Sequence, residues 1–331
     1  MRPEVAEFWL NLEANLLFIQ ERLLARDYPF GLYRTFTIHE PKQRMISAAP
    51  FRDRVVHHAL MNVINPLFER RYIFDSYANR KGKGTHKALK RVQRFVRRYK
   101  YIWKADIRSF FPSIDHEILY EKLCRVIACP DTRWLCRRII DNSNPQEPAF
   151  QYFQGDNLFT PFERRRGLPI GNLTSQCWAN VFMDSYDHYA KDECGLAAYA
   201  RYVDDFVAAS NSKEELREFW LKSEEFLACQ RLVLNPGKTR IFQSREGVSF
   251  VGFHIRPDRV RVNPAGIRRF RFRMKARQDA FRQGLIDVDS IRCSVLGWLG
   301  HVQHGDTWHM AEGILREIKF QRDSSMMNGA R

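Results

Sequence analysis

Asp204 and Asp205 stand side by side in the run from Ala198 to Ala209, which is otherwise almost wholly apolar, β-branched or aromatic. Burying two adjacent ionised acids costs several kcal/mol each unless they are paired or bind a cation, and β-propensity gives no reason to put them there. A divalent metal is the simplest explanation. Asp106 ends a second short apolar run, Tyr101 to Ala105, and is followed by turn residues. Three such acids suit a two-metal phosphoryl-transfer centre, in which the ions sit roughly 3.5–4 Å apart. Asp106 lies about a hundred residues before the pair, so only the tertiary fold can assemble the set. Neighbours in a strand point to opposite faces, so Asp204 and Asp205 reach one site only if a hairpin turn lies at that dipeptide.

The elements that must position these acids are readable from periodicity. Phe8, Leu12, Leu16, Ile19 and Leu23 recur at helical spacing and predict an amphipathic helix ended by Pro29 and Gly31. A short strand near Arg44 to Ser47 precedes a helix bearing Val55, Val56, Leu60, Val63 and Ile64, with a stop around Pro66. After Asp106, Asp115 is placed to cap a helix carrying Ile118, Leu119, Leu123, Val126 and Ile127. Residues 141–166 read as loops and a hairpin. Gly167 to Gly171 turns into a helix with Trp178, Val181, Phe182, Tyr186 and Tyr189 on its face. Another helix is expected over Glu214 to Leu232, a turn at Asn235 to Gly237, strands over Phe250 to Ile255 and Val260 to Val262, and helices from Pro264 onward.

The net charge of +16 favours polyanionic partners over small neutral ones. It is unevenly distributed. Residues 80–100 carry ten Lys or Arg and no acid, and residues 259–282 carry nine against the single Asp279, so two basic blocks flank the acids in sequence. That suits separate lobes gripping the phosphates of a duplex. The seven cysteines form no Cys-x-x-Cys and no Cys/His pairing, which indicates neither a zinc site nor a disulfide framework. His301, His304 and His309 read as a histidine-rich turn rather than a metal site. No run approaches the roughly 18 apolar residues of a membrane span. The first residues contain acids and no signal-peptide core, so a cytoplasmic enzyme is expected.

Tyr202-Val203-Asp204-Asp205 and the segment Asp106 to Phe111 resemble motifs C and A of reverse transcriptases. Further blocks follow in the order of the group-II-intron-like branch: Asp53 to Leu60, Pro66 to Glu69, Ser76 to His86, Gly167 to Gln176, Leu234 to Thr239 and Phe250 to Phe253. The resemblance implies an α+β right-hand polymerase with fingers (1–101), palm with motif A (102–122), a fingers/palm insertion (123–165), palm with motifs B to E (166–256) and a helical thumb (257–331). The palm would be an antiparallel sheet packed on helices. The resemblance implies that Asp106, Asp204 and Asp205 hold two Mg2+ ions, with Mn2+ as a substitute. Phe111 would sit under the incoming sugar and exclude a 2′-hydroxyl. Lys42 and Arg44 would contact the triphosphate, and Lys238 would protonate departing pyrophosphate. Arg80, Ser175, Gln176 and Tyr202 would meet template or primer. Phe250 to Phe253 resembles the primer grip, with Phe250 and Gly252 among its contacts.

Motif B departs from most relatives, which have Gln-Gly and end in Ser-Pro; here Ile170-Gly171 is followed by Ser175-Gln176. That pattern resembles reverse transcriptases of diversity-generating retroelements, which copy a template-repeat RNA with frequent errors at adenines. Ile170 and Gly171 would adjoin the incoming nucleotide. Isoleucine neither donates nor accepts a hydrogen bond, and losing one bond worth about 0.5–1.5 kcal/mol changes discrimination only about two- to thirteen-fold. The resemblance further implies a template RNA and primer/cDNA duplex, dNTPs, a small basic pentameric accessory protein, no membrane, no appended RNase H or endonuclease domain, and a bacterial, archaeal or phage origin. Two other readings remain. A retron, abortive-infection or intron-derived reverse transcriptase would share the acids but usually not Ile170 and Gln176. A non-catalytic RNA-binding scaffold would have no need for uncompensated acids.

Overall fold

The structure, a computed structural model, describes residues 3–39, 43–144 and 151–321. The chain opens with two helices, α1 (Pro3–Leu10) and α2 (Leu12–Leu24), broken at Asn11, where a single helix is expected from the apolar spacing. A two-stranded antiparallel ribbon follows, β1 (Arg34–Ile38) and β2 (Arg44–Ala48). Helix α3 (Phe51–Glu69) runs through Pro66 instead of stopping there. The proline costs the helix one i→i−4 bond. Phe68, beyond the proline, is buried and fastens the last turn to the core.

Helix α4 (Thr85–Arg98) carries the first basic block and buries Ala88, Leu89, Val92, Phe95 and Val96 on its inner face. Strand β3 (Tyr101–Asp106) ends on the first acid, and the one-turn helix α5 (Phe110–Ser113) follows. Helix α6 (His116–Cys124) starts as expected: the Asp115 carboxylate accepts from the Glu117 and Ile118 N–H groups at 3.0 and 3.1 Å. Helices α7 (Pro130–Asp141) and α8 (Thr160–Glu163) come next. Among the described residues of 141–166 there is no strand, so the expected hairpin is replaced by turns and α8. Helix α9 (Leu173–His188) continues into a π-turn over Tyr189–Glu193.

Strands β4 (Tyr199–Tyr202) and β5 (Asp205–Ser210), helix α10 (Lys213–Cys229) and strand β6 (Arg240–Gln243) complete a four-stranded antiparallel sheet of order β4-β5-β3-β6. A separate three-stranded sheet comprises β7 (Val248–Phe250), β8 (Phe253–Ile255) and β9 (Val260–Val262). The run expected as one strand from Phe250 to Ile255 is thus a hairpin. Val251 and Gly252 turn it, both with positive φ (45° and 91°), the backbone a two-residue hairpin turn demands. Helices α11 (Pro264–Arg282), α12 (Val288–Val302) and α13 (Trp308–Glu317) end the described chain.

Strand alternation divides the four-stranded sheet between two cores. Trp103, Ala105, Tyr199, Phe206 and Ala208 face a large core shared with α3, α6, α9 and α10. Ile102, Ala200, Val207, Ala209 and Phe242 face a second core built with α4, the three-stranded sheet and α11 to α13. Both basic blocks therefore ride on elements of this second core. Within residues 1–101, α4 packs on β4, β5 and β8, while α1, α2 and part of α3 form a third cluster. Among the described residues no helix is long and apolar enough to cross a membrane.

Candidate active site

Asp106 closes β3, and its register partner across the antiparallel pair is Asp205, the first residue of β5. Tyr202 and Asp205 pair across the neighbouring hairpin, so its two turn residues are Val203 and Asp204. The turn lies one residue earlier than the sequence suggested. Asp204 sits in the turn, and Asp205 shares the second-core face of the sheet with Asp106, because paired residues point the same way. All three acids come to one end of the sheet. Asp106 is 6 % exposed. Burial, with the charges of Asp106 and Asp205, pushes the Asp204 carboxyl up to about 6. Burial raises Asp205 too, against the pull of a nearby lysine, Lys104.

Two ammonium groups answer this charge. Lys238 Nζ donates to Asp106 Oδ1 at 2.6 Å, and Lys104 Nζ stands 3.5 Å from Asp205 Oδ1 while donating to the Ser249 carbonyl. Lys238 comes from the turn after Asn235, whose N–H donates to the Asp106 carbonyl at 2.7 Å. Lys104 was not singled out from sequence, yet it stands two residues before Asp106, and alternation alone puts both on one face.

The turn itself is held by a residue that sequence reasoning passed over. Arg201 and Asp187 are both fully buried, with Arg201 Nη2 2.7 Å from Asp187 Oδ2 and Nε 2.8 Å from Oδ1. The same guanidinium donates to the Asn180 side chain, to Ser76 Oγ and, through Nη1, to the Val203 carbonyl at 3.0 Å. Burial opposes its charge, and the attraction of Asp187 more than offsets that, holding the guanidinium above its ordinary value. Val203 needs the hold: its φ of 58° is a left-handed conformation that a β-branched residue adopts only under constraint. An arginine in an apolar strand, four residues before the acid pair's second member, is the signal that could have found it.

The segment from 167 to 172 packs between the acids' loop and the β1–β2 ribbon. Leu168 N–H donates to the Phe111 carbonyl at 2.9 Å, and Ser47 N–H of β2 donates to the Ile170 carbonyl at 2.8 Å. Asn172 Nδ2 reaches back to the Ser47 carbonyl at 3.0 Å. Gly171 has a φ of 122°, and a Cβ there would lie 3.0 Å from Ile46 Cγ2 and 3.4 Å from Ser47 O, so the close seating of the ribbon requires glycine. Ile170 and Phe111 are half-buried, Phe111 against the first core. Arg44 is exposed at the start of β2. Lys42 lies outside the described residues.

Three of the residues expected to meet nucleic acid are buried in the structure. Arg80 is held inside the fold: its side chain is 7 % exposed, pairs with Glu69 at 2.9 Å and donates to the carbonyls of Ile73 and Ser76. A basic run hid this, because the captors are one distant acid and two backbone oxygens. Ser175 is buried in α9 while the adjacent Gln176 is exposed, and Phe250 is 1 % exposed in the second core. Gly252, at the exposed hairpin tip beside it, has a carbonyl that accepts from Asn263 N–H at 3.0 Å. Tyr202 is half-buried, with its hydroxyl 3.1 Å from Thr85 Oγ1.

Among the described residues no three His, Cys, Asp or Glu side chains stand close enough together to cage a metal. The donor set still fits divalent cations in its chemistry: three carboxylates at one sheet end, two of them raised by burial and by neighbouring acids, with lysines supplying the balancing charge. In the histidine-rich turn, His304 stacks on His86 of α4 with ring centroids 3.3 Å apart. The described cysteines are all free.

A family model described as reverse transcriptase (RNA-dependent DNA polymerase) matches residues 38–255. Among curated proteins, Protein YkfC of Escherichia coli (strain K12) is 22% identical over 285 residues, covering 74% of this chain and 72% of its own length. Nuclear intron maturase 1, mitochondrial, of Arabidopsis thaliana is 27% identical over 77 residues, 23% of this chain and 11% of that protein. Telomerase from Candida tropicalis in complex with a TWJ fragment of telomeric RNA superposes with a TM-score of 0.54 at 14% identity, covering 97% of this chain and 60% of that one. This last likeness is one of fold, and the chain spans under two thirds of that telomerase.

Proposed function

The chain belongs to the reverse transcriptase (RNA-dependent DNA polymerase) family, and from that premise we propose that it copies an RNA template into DNA by two-metal nucleotidyl transfer. The observation that carries this is the pairing of Asp106 with Asp205 beside a turn containing Asp204. In this reading the three carboxylates hold two Mg2+ ions, for which Mn2+ substitutes. When bound, such ions stabilise developing charge on phosphate and lower the pKa of a coordinated hydroxyl. The chain's own groups do the rest. Phe111 excludes a ribose 2′-hydroxyl, Arg44 and Lys42 meet the triphosphate, and Lys238 gives a proton to the leaving pyrophosphate. The 251–252 hairpin tip supports the primer end. The β1–β2 ribbon, the four-stranded sheet and α11 to α13 then serve as fingers, palm and thumb, and the enzyme works in the cytoplasm.

Within the family we assign the chain to the diversity-generating type, on Ile170-Gly171 and the exposed Gln176. Its substrates would be a template-repeat RNA and dNTPs, with a small basic pentameric accessory protein as partner and cDNA altered at adenines as product. A second reading, an intron-derived reverse transcriptase, is favoured by the relatives named as intron maturases. Sequencing cDNA made on a defined RNA separates the two. Errors concentrated opposite adenine, reduced in Ile170→Gln, support the diversity-generating type. Accurate product supports the intron-derived one, and identical error spectra in the two proteins remove Ile170 from the role.

A further inference from the structure

Lys104 carries a charge that the proposed reaction leaves unassigned. On β3 its register partners are Val207 of β5 and Arg240 of β6, one apolar and one cationic, so neither neighbour across the sheet can pair with its ammonium. Two residues before Val207, on the same face of β5, comes Asp205, within diagonal reach of a long side chain. Lys104 Nζ stands 3.5 Å from Asp205 Oδ1, and its side chain is 19 % exposed. The same nitrogen donates to the Ser249 carbonyl at 2.6 Å. That carbonyl belongs to β7, in the other sheet.

A polar chain continues from there to the hairpin tip. Ser249 Oγ donates to Asn263 Oδ1 at 3.4 Å, and Asn263 N–H donates to the Gly252 carbonyl at 3.0 Å. The route runs from a carboxylate of the acidic centre, through one ammonium, to the turn between β7 and β8. Beside it, Val248, Phe250, Phe253 and Ile255 are buried in the second core. Apolar burial holds the hairpin against that core but is non-directional, whereas a charge-assisted hydrogen bond fixes distance and direction. The ammonium also contests Asp205 with any divalent ion bound there, because like charges so close repel.

We propose that Lys104 is a positioning residue: its ammonium sets the place of the β7–β8 hairpin, and with it the primer end, relative to the acids, and in doing so weakens their hold on metal. The primer's part rests on the polymerase reading; the tether itself does not. Mn2+ titration of the full chain without nucleic acid, hydrogen exchange of the 248–255 amides and single-turnover extension test it together. Lys104→Met should bind Mn2+ several-fold tighter and exchange those amides about tenfold faster. It should extend a primer about 10–100-fold more slowly, the loss expected of a displacement of up to about 1 Å, with primer-template affinity within about twofold of wild type. Lys104→Arg, which keeps the charge and the donors, should stay within about threefold of wild type in every readout. The opposite signs are the mark of the role, since losing a merely structural lysine would loosen the acids and weaken metal binding. Weaker Mn2+ binding by Lys104→Met, or unchanged amide exchange, overturns the proposal, as does tighter Mn2+ binding with extension at the wild-type rate. A wild-type protein that binds Mn2+ and makes no cDNA sinks the polymerase reading, while faster exchange in Lys104→Met still upholds the tether.

Discussion

Replacing Arg201 by methionine separates what holds the catalytic turn from what performs chemistry. The guanidinium is fully buried and serves Asp187, Asn180, Ser76 and the Val203 carbonyl at once. Its removal leaves the Asp187 carboxylate fully buried with Tyr199 OH as its remaining side-chain donor among the described residues, at 2.8 Å. Breaking a buried pair in this way costs about 3–5 kcal/mol, whereas replacing both partners by apolar groups is often neutral. Unfolding entropy of about 2.1 cal/mol/K per residue over 331 residues is about 0.7 kcal/mol/K, so Arg201→Met should lower Tm by about 4–7 °C. The double variant Arg201→Met, Asp187→Leu should recover most of that. Neither should recover cDNA synthesis, because in both the Val203 carbonyl has lost its donor and the strained turn its hold. Thermal melts and single-turnover extension assays measure the two effects. Additive destabilisation in the double variant, or wild-type extension by either protein, would refute the reasoning.

Two further outcomes follow from single side chains. Lys238→Met should slow single-turnover extension by about 10²–10⁴ while primer-template affinity stays within about twofold, as expected of a proton donor; an unchanged rate removes Lys238 from that role. His57 is buried and lowered to about 4, by burial first and by His58 second. The unfolded chain takes up its proton near 6.5, so stability is lost as pH falls from 6.5 toward 4, by about 3 kcal/mol at the lower end. Urea midpoints across that window should show this slope, and His57→Gln should flatten it; parallel profiles would contradict the assignment.

The acids were legible because ionised groups have no business in apolar strands, and the Asp115 cap because a helix start needs an acceptor. Other features depended on partners far along the chain. Pro66 reads as a stop, but the burial of Phe68 carries α3 past it. Arg80 reads as one of ten basic residues, and only the fold reveals Glu69 beneath it. Val251 and Gly252 read as the middle of a strand because the flanking residues are apolar on both sides. The glycine was the available clue. Ser175 and Gln176, adjacent in sequence, differ in burial on α9 because one residue turns the helix by about 100°, which a motif comparison cannot distinguish but helix phase can.

Purified protein on a primed RNA template, with Mg2+ and dNTPs, should extend the primer, and Asp204→Asn, Asp205→Asn should abolish extension while melting within a few degrees of wild type. Extension by the double variant at the wild-type rate, or extension that persists in excess chelator, would contradict a centre built on Asp106, Asp204 and Asp205.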